Sequence, residues 1–228
     1  HQKLQPQFLL LVFLVSIGFF MQGLDTTIIN TALPTIAKDL NEDPLRMHGL
    51  IISYVLSVAV CIPLSGWLAD RFGIRNTFFA AIVIFTFASL GCALSHSFYS
   101  LISFRVIQGI GGALLMPVGR LAMLRLIPRE QFLSAMSIMS LAGLLGPLTG
   151  PILGGWLVEY MSWHWIFLIN LPMGLLGMFM AFKIMPNRTE PNVKKFDLSG
   201  FILLMIAMAG MALGIENMAS HEVSRTLS

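Results

Sequence analysis

The chain has 228 residues, 56% of them hydrophobic and only 11% charged, with a mean hydropathy of +0.81. A water-soluble domain carries about 25% charged residues, so this composition argues against a soluble enzyme or binding module and makes lipid the expected surrounding solvent. The net charge of +3 is explained below by topology, and no nucleic-acid partner is expected.

A helix crossing a bilayer core of ~30 Å needs ~20 apolar residues. Seven runs qualify, near 8–33, 49–68, 77–94, 99–118, 133–160, 165–185 and 198–215. They are continuously apolar and do not alternate, which excludes barrel strands and gives an all-α membrane protein. The expected domains are a six-helix bundle over 1–185, a polar linker over 186–197, and a seventh helix with its tail over 198–228. The chain begins at His1 and ends in a polar tail, as expected of a segment of a longer protein.

Lys and Arg set the orientation. With the N-terminus inside, the inner segments hold Lys3, Arg71, Arg75, Arg120, Arg125, Arg129, Lys183, Arg188, Lys194 and Lys195. The outer segments hold only Lys38, Arg46 and Arg225, so an N-terminus in the cytoplasm is expected. The sequon Asn187-Arg188-Thr189 then lies inside and reads as chance. Cys61 and Cys92 sit in apolar runs without a ligand set and read as packing residues. No metal or cofactor is expected.

Taken in chain order, the first polar anomaly is Asp25, the only charge between Lys3 and Lys38. A carboxylate within a span costs ~2.5–3.5 kcal/mol on insertion scales, so it should face a cavity or a partner. Thr26, Thr27, Asn30 and Thr31 supply polar company. The functional reading is an acid that gains and loses a proton; the bland one is an acid near the outer interface that reaches water.

Residues 66–75, GWLADRFGIR, read as a tight polar turn between two uncharged runs. Arg105 is a second buried charge, in the fourth span and in the same outer half as Asp25. It suits a partner for that acid, or a structural arginine bonding backbone carbonyls; the two roles are compatible. In the fifth span Gly146, Gly150 and Gly154 recur every fourth residue, lining one helical face for close packing, while Pro147 and Pro151 should bend it. Trp163 and Trp165 suit an interfacial aromatic belt, with His164 read as an interfacial histidine.

Several of these strings resemble the major facilitator superfamily. Gly66, Asp70, Arg71, Gly73 and Arg75 match its loop between the second and third helices; Ile74 departs where a basic residue is usual. Residues 24–34, LDTTIINTALP, are similar to the first-helix signature of the drug:proton antiporter branch with fourteen helices. Arg105, Gln108, Gly109, Gly111 and Gly112 resemble the fourth-helix motif. Gly146, Gly150, Pro151, Gly154 and Gly155 resemble the antiporter motif, with Ser137 departing upstream.

The resemblance implies the N-terminal six-helix domain of a proton-coupled exporter, folded as an inverted 3+3 repeat, plus a seventh transmembrane helix. It implies proton coupling through Asp25 and Arg105, and a substrate cavity near Thr27, Asn30, Gln108 and Gly109. A conformational latch would be formed by Gly66, Asp70, Arg71, Gly73 and Arg75. Phe19, Phe20, Met21 and Met116 are candidates for a soft pocket. Its partners would be a small-molecule substrate, protons, the bilayer and the C-terminal half, with the proton gradient in place of a cofactor. Enzyme signatures such as H-E-x-x-H and G-x-S-x-G are absent from the sequence. A metabolite transporter or a non-transporting membrane subunit stands as the alternative.

Overall fold

The computed structural model describes residues 5–187, 189, 193, 195–208 and 210. Helix α1 (Pro6–Asp39) starts on a proline, whose missing N–H is no loss in a first turn. Its 34 residues rise about 51 Å, more than a bilayer core. Helix α2 (Pro44–Cys61) also opens on proline, and the Asp43 carboxylate accepts from the Leu45 N–H at 2.8 Å.

Helix α3 (Leu64–Phe72) follows after Ile62 and Pro63, both with helical dihedrals. Pro63 lacks the N–H that would continue the ladder, so α2 and α3 are one span with a break. Residues 66–75 are therefore helical as far as Phe72, not a turn throughout. The reversal needs only Gly73, whose φ of 87° favours glycine. Helix α4 (Ile74–Ala93) starts at once, and its Thr77 hydroxyl donates to the Leu68 carbonyl at 3.0 Å.

Ser97 caps α5 (Phe98–Leu126) by accepting from the Ser100 N–H. Helices α6 (Arg129–Tyr160), α7 (Trp165–Leu168) and α8 (Asn170–Ile184) complete the bundle. Among the described residues six spans are long and apolar enough to cross a membrane.

The main pairings are α1 with α6, α4 with α5, α2 with α5, α4 with α8, α1 with α5, and α1 with α8. Exchanging α1 with α5, α2 with α6 and α4 with α8 maps this set onto itself, which is the pattern of a 3+3 repeat. Two apolar clusters fill the interior. One, containing Val15, Phe78 and Leu115, lies toward the end that carries the N-terminus. The other, containing Ile28, Leu50 and Phe167, lies toward the opposite end.

The chain divides into two compact units, His1–Pro191 and Asn192–Ser228. The second holds the apolar helix α9 (Leu198–Met208). Asp197 Oδ1 accepts from the Gly200 N–H at 2.9 Å and the Ser199 hydroxyl at 2.7 Å, bonds that hold its carboxyl below the ordinary value. The rest of the expected seventh helix, residues 209 and 211–215, lies outside the described residues, as do Lys3, Arg188, Lys194 and Arg225.

The glycine stripe of α6 lies against α1. A Cβ on Gly146 would stand 2.7 Å from the Leu24 nitrogen and 2.8 Å from the Phe20 carbonyl oxygen, both backbone atoms that cannot step aside. Nothing lies within 4 Å of the same position on Gly155. Gly146→Ala should therefore cost about 1–3 kcal/mol by forcing α1 and α6 apart. Gly155→Ala should be neutral or stabilising by up to ~1 kcal/mol. Thermal unfolding of both variants in detergent checks this; equal shifts would contradict the packing account.

Candidate functional site

Between the two apolar clusters lies a layer of polar side chains contributed by α1, α4, α5 and α8. Asp25 and Arg105 form an ion pair at 2.6 Å, each side chain 1% exposed. Neither charge belongs in an apolar interior alone, and the pair is favourable there only if the remaining polar atoms are bonded. They are bonded from every side. Asp25 Oδ2 accepts from Arg105 Nη1, and Oδ1 accepts from Gln108 Nε2 at 2.9 Å and Asn170 Nδ2 at 3.4 Å. Arg105 donates also to Gln108 Oε1 at 2.8 Å and, through Nε, to the Leu50 carbonyl at 3.2 Å. Its guanidinium lies 4.2 Å from the centre of the Tyr54 ring.

Ser89 closes the network. Its hydroxyl donates to the Phe167 carbonyl and accepts from both Gln108 and Asn170. Asn170 Oδ1 and the Tyr54 hydroxyl are buried without a hydrogen bond. Arg105 thus makes both contacts weighed for it, to the acid and to a backbone carbonyl.

Glycines admit these partners. A Cβ on Gly109 would meet the Tyr54 carbonyl oxygen at 2.8 Å, and one on Gly111 would meet the Phe85 nitrogen at 2.7 Å. Helices α2 and α4 therefore approach α5 closely enough for Tyr54 to reach Arg105 and for Ser89 to reach Gln108.

The other expected site residues are dispersed. Thr27 faces Gly150 at the α1–α6 contact, and its hydroxyl donates to the Gly23 and Leu24 carbonyls. Asn30 is exposed, its amide donating to the Thr26 and Thr27 carbonyls. Gln108 lies in the polar layer and Gly109 against α2, and none of the four lines the cavities of about 490 and 640 Å³. Met116 lines one cavity and Phe20 the other, whereas Phe19 and Met21 are core residues.

Asp70 accepts from Arg125 Nη2 at 2.7 Å, joining α3 to α5 through a partly exposed pair, a class of contact worth ~0–1 kcal/mol. Arg75 stacks on Phe182 at 5.3 Å, Arg71 is exposed, and Gly66 has open space before it. At the opposite end Trp163 Nε1 donates to Asp39 Oδ2 at 2.8 Å, and the Trp163 and His164 rings stack at 3.7 Å. Burial holds the His164 imidazole below its ordinary value, against the pull of Asp39. No group of three or more potential metal ligands occurs among the described residues.

Ser89, Tyr54 and Asn170 belong to the site without standing out in the sequence. Their one signal in the sequence is polarity inside an apolar run, which many self-satisfied serines share.

The pair should show strong, asymmetric coupling. Asp25→Asn strands a guanidinium that cannot neutralise itself, and should cost about 3–5 kcal/mol. Arg105→Gln strands a carboxyl that can take up a proton, and should cost less. The double variant should lose less stability than the sum of the two, measured by thermal unfolding in detergent; additive losses would contradict a direct pair.

The description "Major Facilitator Superfamily" fits residues 15–215. The chain is 55% identical over 213 residues to "Putative multidrug resistance protein MdtD" of Salmonella typhi, and equally so to that of Salmonella paratyphi B. Each match covers 93% of this chain and 45% of the relative, so the chain spans about half the length of the curated relatives it matches. A proton:xylose symporter bound to 6-bromo-6-deoxy-D-glucose superposes with TM-score 0.69 at 17% identity, over 78% of this chain and 45% of that one. A D-xylose-proton symporter superposes with TM-score 0.67 at 18% identity, over 97% and 53%. Those two likenesses bear on the fold alone. With the family description spanning most of the chain and six helices able to cross a bilayer, this is a multi-pass membrane protein that belongs to the Major Facilitator Superfamily.

Proposed function

We propose that this chain is the N-terminal half of a proton-coupled exporter of drugs or other amphipathic small molecules, working by alternating access. In this reading it sits in a bacterial inner membrane with its N-terminus in the cytoplasm. Residues 1–185 form the six-helix domain and 186–197 the linker, and the cavity is completed by a C-terminal half. No chemical transformation and no cofactor take part; the proton gradient is the energy source. The multidrug-resistance name of the Salmonella relatives supports drugs as the substrate class, and the Lys and Arg asymmetry supports the orientation.

The observation that carries the reading is the Asp25–Arg105 pair, buried within two membrane spans and bonded by groups of α2, α5 and α8. With Asp25 ionised, both of its carboxylate oxygens accept hydrogen bonds from Arg105, Gln108 and Asn170. A proton on Asp25 removes the negative partner while Arg105 keeps its charge, so the layer loses its best arrangement. Motion of α1 against α5 follows, exposing the acid to the opposite side. Protonation from outside and release toward the cytoplasm would couple inward proton flow to expulsion. Gly66, Asp70, Arg71, Gly73 and Arg75 serve as the latch on this cycle, with Asp70–Arg125 as its ion pair. Gly146, Gly150, Pro151, Gly154 and Gly155 keep α6 tight on α1 while it occurs.

Efflux of a fluorescent amphipathic dye from cells making this segment joined to its continuation tests the reading. Export should collapse with a protonophore and with Asp25→Asn, by about 100-fold if proton transfer is obligatory. Efflux surviving the substitution would move coupling to another residue.

A further inference from the structure

A cavity of about 490 Å³ opens between α1, the α2–α3 break and the half of α5 nearer the N-terminal end. At its deep end is Gln22, 8% exposed, whose Oε1 accepts no hydrogen bond. Beside it is Gly112, where a Cβ would stand 2.7 Å from the Tyr54 hydroxyl. A buried amide oxygen left unpaired is unfavourable, and a ligand donating an N–H or O–H would relieve it.

At the other end of the cavity is Arg120. Its Cα lies fifteen residues along α5 from Arg105, about 22 Å of rise, whereas Phe19 is about 9 Å along α1 from Asp25. The Arg120 guanidinium is nonetheless 5.7 Å from the Phe19 ring. Arg120 is exposed and lines the cavity, and its side chain runs back toward the middle of the bundle, the direction in which helical side chains tilt. No carboxylate pairs with Arg120 among the described residues, and the wall contains no Asp or Glu. Asp25, the one acid at this depth, is spent on Arg105 and does not line the cavity. Between the two ends the wall is apolar, with Ala113, Met116 and Leu121.

The geometry points to a binding site for amphipathic anions: an acidic group at Arg120, an apolar body, and an N–H or O–H donor at Gln22. This deepens the transport reading and rests on it, by naming anions in preference to lipophilic cations as the class received on this half.

The test uses equilibrium fluorescence binding to the purified full chain in detergent, with no gradient imposed. The probes are dansyl-aminocaproic acid, its methyl ester and dansylcadaverine, which share a sulfonamide N–H and a similar chain but carry a negative, no and a positive charge. The acid should bind about tenfold or more tighter than the amine. Arg120→Gln should weaken the acid about tenfold and leave the ester unchanged, while Arg120→Lys keeps most of the preference. Gln22→Leu should weaken acid and ester alike. Equal or tighter binding of the amine, no binding of any probe, or an acid affinity indifferent to Arg120→Gln would overturn the inference. Unfolding midpoints equal to wild type exclude misfolding as the cause. Proton coupling can fail in the efflux assay with this preference intact, and the preference can fail with coupling intact, so the two readings fall separately.

Discussion

A carboxylate and a guanidinium share one buried site in this bundle, and most of the packing is what that site requires. Either charge alone in the membrane interior would be costly on insertion scales; together at 2.6 Å they are tolerable provided their other polar atoms are bonded. Ser, Asn and Gln side chains are short, so the helices that carry them must come close. Gly111 lets α4 bring Ser89 to Gln108, and Gly109 lets α2 bring Tyr54 to Arg105. Gly146, Gly150 and Gly154 hold α1 itself in place from behind. In a lipid environment, where apolar helices gain little by leaving lipid for each other, such small-residue contacts and interhelical hydrogen bonds are the available adhesive.

The repeat gives the pair its position. α1 and α5 are the first helices of the two triplets and meet near the pseudo-two-fold relation that exchanges them. Asp25 and Arg105 thus answer one another across the repeat, one half supplying the acid and the other the base. A residue pair at such a place feels relative motion of the triplets more directly than any peripheral contact. The partly exposed Asp70–Arg125 pair, by comparison, is solvated at a helix end, and water can replace either partner at little cost.

What could be read from the sequence was whatever carries a large energy by itself. Seven apolar runs, two buried charges and a glycine every fourth residue each declare themselves without knowledge of neighbours. Partner identities did not, because a serine or threonine can bond its own helix and so need not face anything polar: Thr27 does this with Gly23 and Leu24. Helical phase was the signal left unused. Thr27 is two residues and about 200° from Asp25, on the far side of α1, whereas Gln22 is three residues and about 60° away. The face of α1 that meets α5 and the cavity is therefore that of Gln22, and the face of Thr27 belongs to α6. Residues 66–75 were read as a turn because their charge and glycines suggested one, yet a single positive φ at Gly73 suffices to reverse the chain.

Tyr54 is the one side chain that touches both chemistries. Its ring lies 4.2 Å from the Arg105 guanidinium, and its unbonded hydroxyl reaches the cavity wall at Gly112. The cation holds the ring by its charge, a contact worth up to ~2 kcal/mol when desolvated. The ring in turn leaves no room for a side chain at Gly112. Any displacement of Arg105 that follows loss of its anionic partner must move this ring or abandon it, and either changes the deep end of the cavity where Gln22 stands. In the proposed cycle, the proton site and the ligand site lie at the two ends of one aromatic side chain, Tyr54.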